Sequence, residues 1–307
     1  MKKTINSERI EGRLYQHNLE KKVVQNKSSA NYGKEFITGT LEIATDEAGL
    51  NVVPIHFTYV VEMTKNGKKN VTYGVLDNII NNGKAWITDG KDAALKLRCN
   101  TALALNDFYN RDDQLVSVKR NEGGFVNTIK DLAEEDQRST FSMDMIITGT
   151  DFDEEADYLK IRGAVFNFRN DLLPVEFTCH DKAAIDYFEK LDASGANPIF
   201  TEVRGKIVNN TIKETVEEES AFGTASVKTT TRTVREWVID WARPAEYDFG
   251  ADDVLTTEEL KKAMQDREVY LADIKKRADE YRASQSAAAS ASKEPATAAI
   301  PEGGFNF

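Results

Sequence analysis

The segment Val52-Val-Pro-Ile-His-Phe-Thr58 returns as Leu172-Leu-Pro-Val-Glu-Phe-Thr178, with the Pro, Phe and Thr kept in place. Apolar residues alternate in both copies, as in a strand with one buried face. The flanks repeat as well. Phe36-Ile-Thr-Gly-Thr-Leu41 precedes the first copy and Leu159-Lys-Ile-Arg-Gly-Ala-Val165 the second, which places Gly39 opposite Gly163. A glycine inside a strand marks a bend or bulge of the kind a small barrel needs to close. A helix is predicted after each copy, over Tyr73 to Asn81 and Lys182 to Leu191, ending in Asn-Asn-Gly and Ala-Ser-Gly. A further strand then follows, Leu95 to Leu105 in one copy and Ile199 to Val208 in the other. Strand, glycine-bent strand, strand, helix, strand is the order of an OB barrel. A β-sandwich would share the alternation and the turns, but the helix before the fourth strand favours the barrel.

The predicted fold class is therefore mainly β, with two tandem OB-like β-barrels (1–130 and 131–250), a C-terminal α-helix (251–283) and a disordered tail (284–307). The helix is announced by the capping box Thr256-x-x-Glu259, with Leu260, Met264, Leu271 and Ile274 at roughly helical spacing. Beyond it an Ala/Ser/Pro/Gly run has too little apolar surface to fold. It ends in Phe305 and Phe307, which have no core to join and are expected to dock on a partner.

The net charge of −11 argues against a polyanionic partner only if charge is evenly spread. It is not. Residues 1–40 hold eight Lys or Arg against four Glu, while acid gathers in Asp-Phe-Asp-Glu-Glu-Ala-Asp (151–157) and Glu217-Glu-Glu219. The first of these lacks the glycine of a calcium loop. Cys99 and Cys179 are too few for a disulfide framework, lack zinc spacing, and read as buried thiols. His17, His56 and His180 fall in no ligand motif, and no phosphate-cradling or nucleophile-elbow motif is present. The expectation is a non-enzymatic protein without cofactor or metal. No apolar run is long enough to span a membrane and the start does not resemble a signal peptide, so a cytoplasmic location is expected.

Alternation also sorts candidate binding residues. From Lys160 to Arg169, Ile161, Gly163 and Val165 face one way, and Lys160, Arg162, Ala164, Phe166 and Phe168 the other. Cations beside aromatics on one face can track phosphates while stacking bases. The first strand sets Arg9, Arg13 and Tyr15 against Ile10, Gly12 and Leu14. The fourth strands contribute Lys96 and Arg98 in copy one, and Arg204 and Lys206 in copy two. Trp86 and the pair Arg235 and Trp237 are further stacking candidates, and Trp241 is expected to cover the barrel base.

Three segments resemble the OB-fold single-stranded DNA-binding protein family. Leu173 to Ile207 (LPVEFTCHDKAAIDYFEKLDASGANPIFTEVRGKI) is similar to that family's strand, helix and strand ending in V-x-G-x-[LI], here Val203, Gly205 and Ile207. Leu41 to Glu47 (LEIATDE) resembles its apolar strand entering an A-T-[ND]-E turn, and the aromatic-tipped tail resembles its partner-recruiting peptide. The resemblance implies low-specificity binding of single-stranded DNA in replication, recombination or repair, and replication proteins as partners of the tail. Two departures stand out. The usual member carries one barrel per chain, whereas two tandem barrels would suit a bacteriophage-type member. The final Glu-Gly-Gly-Phe-Asn-Phe also lacks the acidic run and terminal Pro-Phe. The competing reading is a structural or assembly protein, such as a phage virion component, that uses its barrels for protein contacts.

Overall fold

The computed structural model describes residues 4–64, 66–218, 226–245 and 255–291. Its first half contains β1 (Asn6–His17), the short β2 (Glu20–Val23), β3 (Glu35–Ala44), β4 (Val52–Val61), α1 (Val71–Asn82), one turn of helix α2 (Trp86–Asp89), β5 (Lys96–Tyr109) and β6 (Leu115–Thr128). β1 pairs with β3, β3 with β4, β1 with β5 and β5 with β6, all antiparallel. A parallel contact between β4 and β6, Ile55↔Asn121 and His56↔Glu122, closes the ring. The second half repeats the plan with β7 (Ser139–Asp153), β8 (Tyr158–Phe166), β9 (Leu172–Cys179), α3 (Lys182–Lys190), β10 (Ile199–Glu218) and β11 (Ser226–Ala242). Its ring runs β7-β8-β9-β11-β10, again closed by one parallel contact, Val238↔Thr178. These are two OB barrels, each with its helix between the third and fourth barrel strands.

The helices form where their caps and apolar spacing dictate. Asn70 caps α1 by accepting from the Thr72 N–H, and Tyr73, Leu76 and Ile79 turn into the barrel. Asp181 caps α3 through the Ala184 N–H, with Ile185 and Phe188 buried beneath it. Gly39 occupies a bulge at φ 128°, a backbone conformation that favours glycine. Gly163 is required for another reason, since a Cβ there would lie 2.0 Å from the Ile146 carbonyl oxygen. The two glycines are not equivalents. Gly39 pairs with Phe57, whereas Gly163 pairs with Val175 and Ile161 with Phe177. With Phe57 and Phe177 aligned as the repeat aligns them, Gly39 corresponds to Ile161, and the expected glycine match is off by two residues.

The barrels are joined through their first strands. β1 pairs antiparallel with β7 from Asn6↔Met143 to Ile10↔Ser139, so all eleven strands form one sheet and the two interiors share one apolar core. Cys99 and Cys179 are both buried in that core. Glu8, on the inner side of β1, lies fully buried at this seam. It accepts hydrogen bonds from Trp237 Nε1 of the second barrel (2.9 Å) and Thr101 Oγ1 of the first (2.9 Å).

The last element, α4 (Thr257–Ala291), starts at the expected capping box. Thr256 and Glu259 exchange backbone-to-side-chain bonds of 3.1 and 3.2 Å. Leu255, Leu260 and Ala263 cover a small second core of Ile146, Ala164, Phe166, Leu172 and Phe200 on the outside of the second barrel. Further along, Arg267 grips Asp107 of β5 with two parallel bonds (2.9 and 3.1 Å), and Lys275 and Arg282 reach Asp113 at the β5–β6 turn. α4 thus straps one barrel to the other. It also runs past the expected end near residue 283, because the Ala-rich stretch that cannot build a core is still a good helix former. No described helix is long and apolar enough to cross a membrane.

Candidate nucleic-acid interface

The β1–β7 pairing gathers most of the predicted cations on one surface. Directly paired residues share a sheet face, and the registers line up Arg98 with Glu11, Lys96 with Arg13, and Asn100 with Arg9, Thr140 and Lys206. A neighbouring row holds Ser142, Arg204 and Trp241. Tyr15 and Trp86 meet at the β1 end of this face with ring centroids 6.0 Å apart, and Lys91 lies over the Trp86 ring.

Much of this charge is already partnered. Glu11, which shares the outer face with Arg9 and Arg13, takes bonds from Arg9 (2.8 Å), Arg98 (2.7 Å) and the Ala133 N–H (2.6 Å). Burial alone would raise its carboxyl, but these bonds hold it down at about 2. Glu47 is likewise held at about 2 by Lys91 and Arg138, with Arg13 at 3.6 Å. Lys96 donates to the Lys130 carbonyl, and Arg204 pairs with Glu202 at 2.8 Å. Lys206 is exposed on the outer side of β10. Five of the predicted phosphate contacts, Arg9, Arg13, Lys96, Arg98 and Arg204, are therefore bonded within the fold.

The tryptophans exchange roles relative to expectation. Trp237 is 5% exposed and belongs to the core, whereas Trp241 is 42% exposed with the Arg204 guanidinium 4.3 Å above its ring. The cause is a bulge. Gly205 pairs with Ile239 and Arg204 with Trp241, so Asp240 is an extra residue that turns Trp241 to the outer face. Trp237 packs inside in place of stacking on a ligand, and Trp241 does not cover the base.

The β8 residues separate from this surface. Arg162 is exposed, and Lys160 pairs with Asp153 of the acidic run 151–157 at 2.8 Å. Phe166 is 0% exposed beneath α4 and cannot stack on a base. The strand does alternate, with Ile161 and Val165 inside the barrel and Ala164 and Phe166 outside it, but a helix from far along the chain covers that outer side. Phe168 lies beyond the strand, in the β8–β9 turn, and is 84% exposed with Arg169 over its ring at 5.2 Å. Phe305 and Phe307 lie outside the described residues.

Phe168 opens onto a cleft of about 700 Å³ between the barrels, walled by β4, β6, the β8–β9 turn and α4. Phe125 (70% exposed) and Tyr59 (44% exposed) line it from the first barrel, and Tyr270 from α4. Its cations include Arg120 and Arg169. Arg120 makes one loose contact of 3.7 Å to Glu122 and leaves its buried Nε without a hydrogen-bond partner. No carboxylate pairs with Arg169 among the described residues. His56 also lines the cleft, bonded to Thr40 at 3.1 Å, and is held below its ordinary value by burial and then by Arg120. The sequence reading passed over Phe125, Tyr59, Arg120 and Arg169. The available signals were an aromatic directly after Gly123-Gly124 and an aromatic–arginine pair inside a polar turn, Phe168-Arg169-Asn170-Asp171.

Fold and cleft together define a two-barrel OB protein with an aromatic, guanidinium-bearing groove between its halves. The chain belongs to the YorF family, whose model matches residues 5–277. No curated protein matches it. Among solved structures it is similar to a deletion mutant of the single-stranded DNA binding protein from Thermus aquaticus. The identity is 10%, the match covers 82% of this chain and 100% of that one, and the TM-score is 0.46.

Proposed function

We propose that this protein binds single-stranded nucleic acid, DNA in the first instance, with low sequence specificity and without catalysing a reaction, in DNA replication, recombination or repair. The observation that carries the reading is the inter-barrel cleft. Phe168 and Phe125 expose most of their rings there, beside Arg169 and Arg120. A large exposed aromatic has an unfavourable contact with water until something covers it. Every base has a flat face suited to that task, which gives affinity without sequence preference. The guanidiniums supply charge for the phosphates between bases.

Titration of labelled oligo(dT) tests this. Affinity should fall as salt rises, with a log–log slope of at least about −1.4 if Arg120 and Arg169 each meet one phosphate. Phe168→Ala and Phe125→Ala should each weaken binding by about 1–3 kcal/mol, the usual value of one stacked base. Absence of binding at low salt, or equal binding by both alanine variants and the wild type, would overturn the proposal.

A further inference from the structure

Next to the cleft, and sharing His56 and Arg120 with it, lies a smaller depression of about 220 Å³. Lys119 and Arg120 of β6 line it from the first barrel, and Arg235 and Trp237 of β11 from the second. Among the described residues no Asp or Glu lines it, although the chain carries 51 acidic residues against 40 basic ones. Three acids act on its cations without entering its lining. Glu122, in loose contact with Arg120, lines the neighbouring cleft, and Glu176 and Glu236 act on Lys119 without lining the depression.

The three cations are poorly satisfied within the protein. Lys119 bonds the Glu176 backbone carbonyl and lies over the rings of Trp237 (5.0 Å) and Phe177 (5.6 Å). Burial pulls its ammonium down to about 8. Arg120 has the orphan Nε, and Arg235 spends its own Nε on Asn209 Oδ1 (2.9 Å). Crowding three cations, two half-buried and one exposed, around a space with no acid in its described lining costs mutual repulsion, and a bound anion relieves that cost. The space far exceeds the ~30 Å³ of one water and falls below the ~300 Å³ at which pockets hold drug-sized ligands.

From this geometry we infer that the depression between β6 and β11 is a phosphate-binding site, formed only where the two barrels meet. The inference stands apart from the strand-binding proposal, because a free nucleotide and a backbone phosphodiester present the same chemistry to Lys119, Arg120 and Arg235.

Equilibrium dialysis of the full chain against radiolabelled inorganic phosphate, at constant ionic strength, tests it. The expected result is saturable binding of one phosphate per chain. Arg235→Gln and Lys119→Met should each weaken it tenfold or more, while Lys190→Gln at the end of α3 leaves it unchanged. Arg235 is exposed, so its variant keeps the test intact should the half-buried lysine variant fail to fold. Non-saturable uptake, or equal weakening by all three variants, overturns the inference. Competition then separates the sources. Displacement by unphosphorylated oligo(dT) assigns the site to the strand backbone, and displacement by thymidine monophosphate alone assigns it to a free nucleotide. Oligo(dT) binding without phosphate uptake would sink this inference and leave the strand-binding proposal standing, and phosphate uptake without oligo(dT) binding would do the reverse.

Discussion

Replacing Glu8 with Gln should stabilise the protein at alkaline pH and do little at acid pH. Glu8 is fully buried at the seam between the barrels, and burial raises its carboxyl from the ordinary 4.5 to about 7, against the lowering pull of Trp237 and Thr101. The folded state therefore holds this proton more tightly than the unfolded chain does. The resulting stability is fully present below pH 4.5 and is lost as pH rises through 7. The interval is about 2.5 pH units, and at ~1.4 kcal/mol each the full loss is roughly 3–4 kcal/mol. A glutamine keeps the acceptor for Trp237 Nε1 and can donate to Thr101 Oγ1, but carries no charge to desolvate. Urea unfolding of both proteins at about pH 5 and about pH 8.5, followed by tryptophan fluorescence, measures the difference while other titrating groups cancel. Glu8→Gln should be more stable than the wild type by roughly 2–3 kcal/mol at the higher pH, and within about 1 kcal/mol of it at the lower. Parallel pH profiles, or a variant less stable at the higher pH, would refute the placement of a strained carboxyl at the seam.

Other expectations concern the coverings of the second barrel. Phe166→Ala should lose about 3–5 kcal/mol in a thermal or urea melt, as a large-to-small change in a packed cluster does, whereas Phe168→Ala two residues away should stay within about 0.5 kcal/mol of the wild type. Asp107→Asn removes one partner of the ion pair that holds α4, in which the Arg267 and Asp107 side chains are 11% and 1% exposed. About 3–5 kcal/mol of anchoring should go with it, read as faster amide exchange along α4. Unchanged exchange would mean that the apolar contacts of Leu255, Leu260 and Ala263 suffice. Gly163→Ala drives a Cβ into the Ile146 carbonyl and should lower the melting temperature sharply, while Gly149→Ala, with nothing within 4 Å, should be tolerated.

The barrels were legible because their signals are local or repeated. Two copies of one strand, a helix after each and the Thr256 capping box can all be read within a few residues and recur in the structure, although α3 ends at Lys190 with Leu191 as its cap, short of the Ala-Ser-Gly expected to stop it. What escaped depends on contacts made at a distance. Arg98 meets Glu11 across 87 positions, and Phe166 is buried by a helix whose first turn lies some ninety residues on. The single extra residue at Asp240 reverses every inference drawn from alternation beyond it. One signal was local and overlooked. Glu11 lies between Arg9 and Arg13 at strand spacing, and Glu202 precedes Arg204 in the same way, so the intervening acid was available to mark those cations as partnered.

The antiparallel union of β1 with β7 has a consequence for any ligand with a direction. Pairing the first strands of two like barrels creates a local two-fold axis, and the rotation that carries one barrel onto the other reverses every arrow drawn across them. A nucleic-acid strand has chemically distinct ends. Laid straight across both halves, it would meet the second set of equivalent groups backwards. The duplicated fold therefore cannot offer such a strand two identical tracks. One half is left free to become wall and anchor to the other, as the second barrel does by lending Phe168 and Arg169 to the cleft and Arg235 to the depression beside it, both walled on their other side by the first.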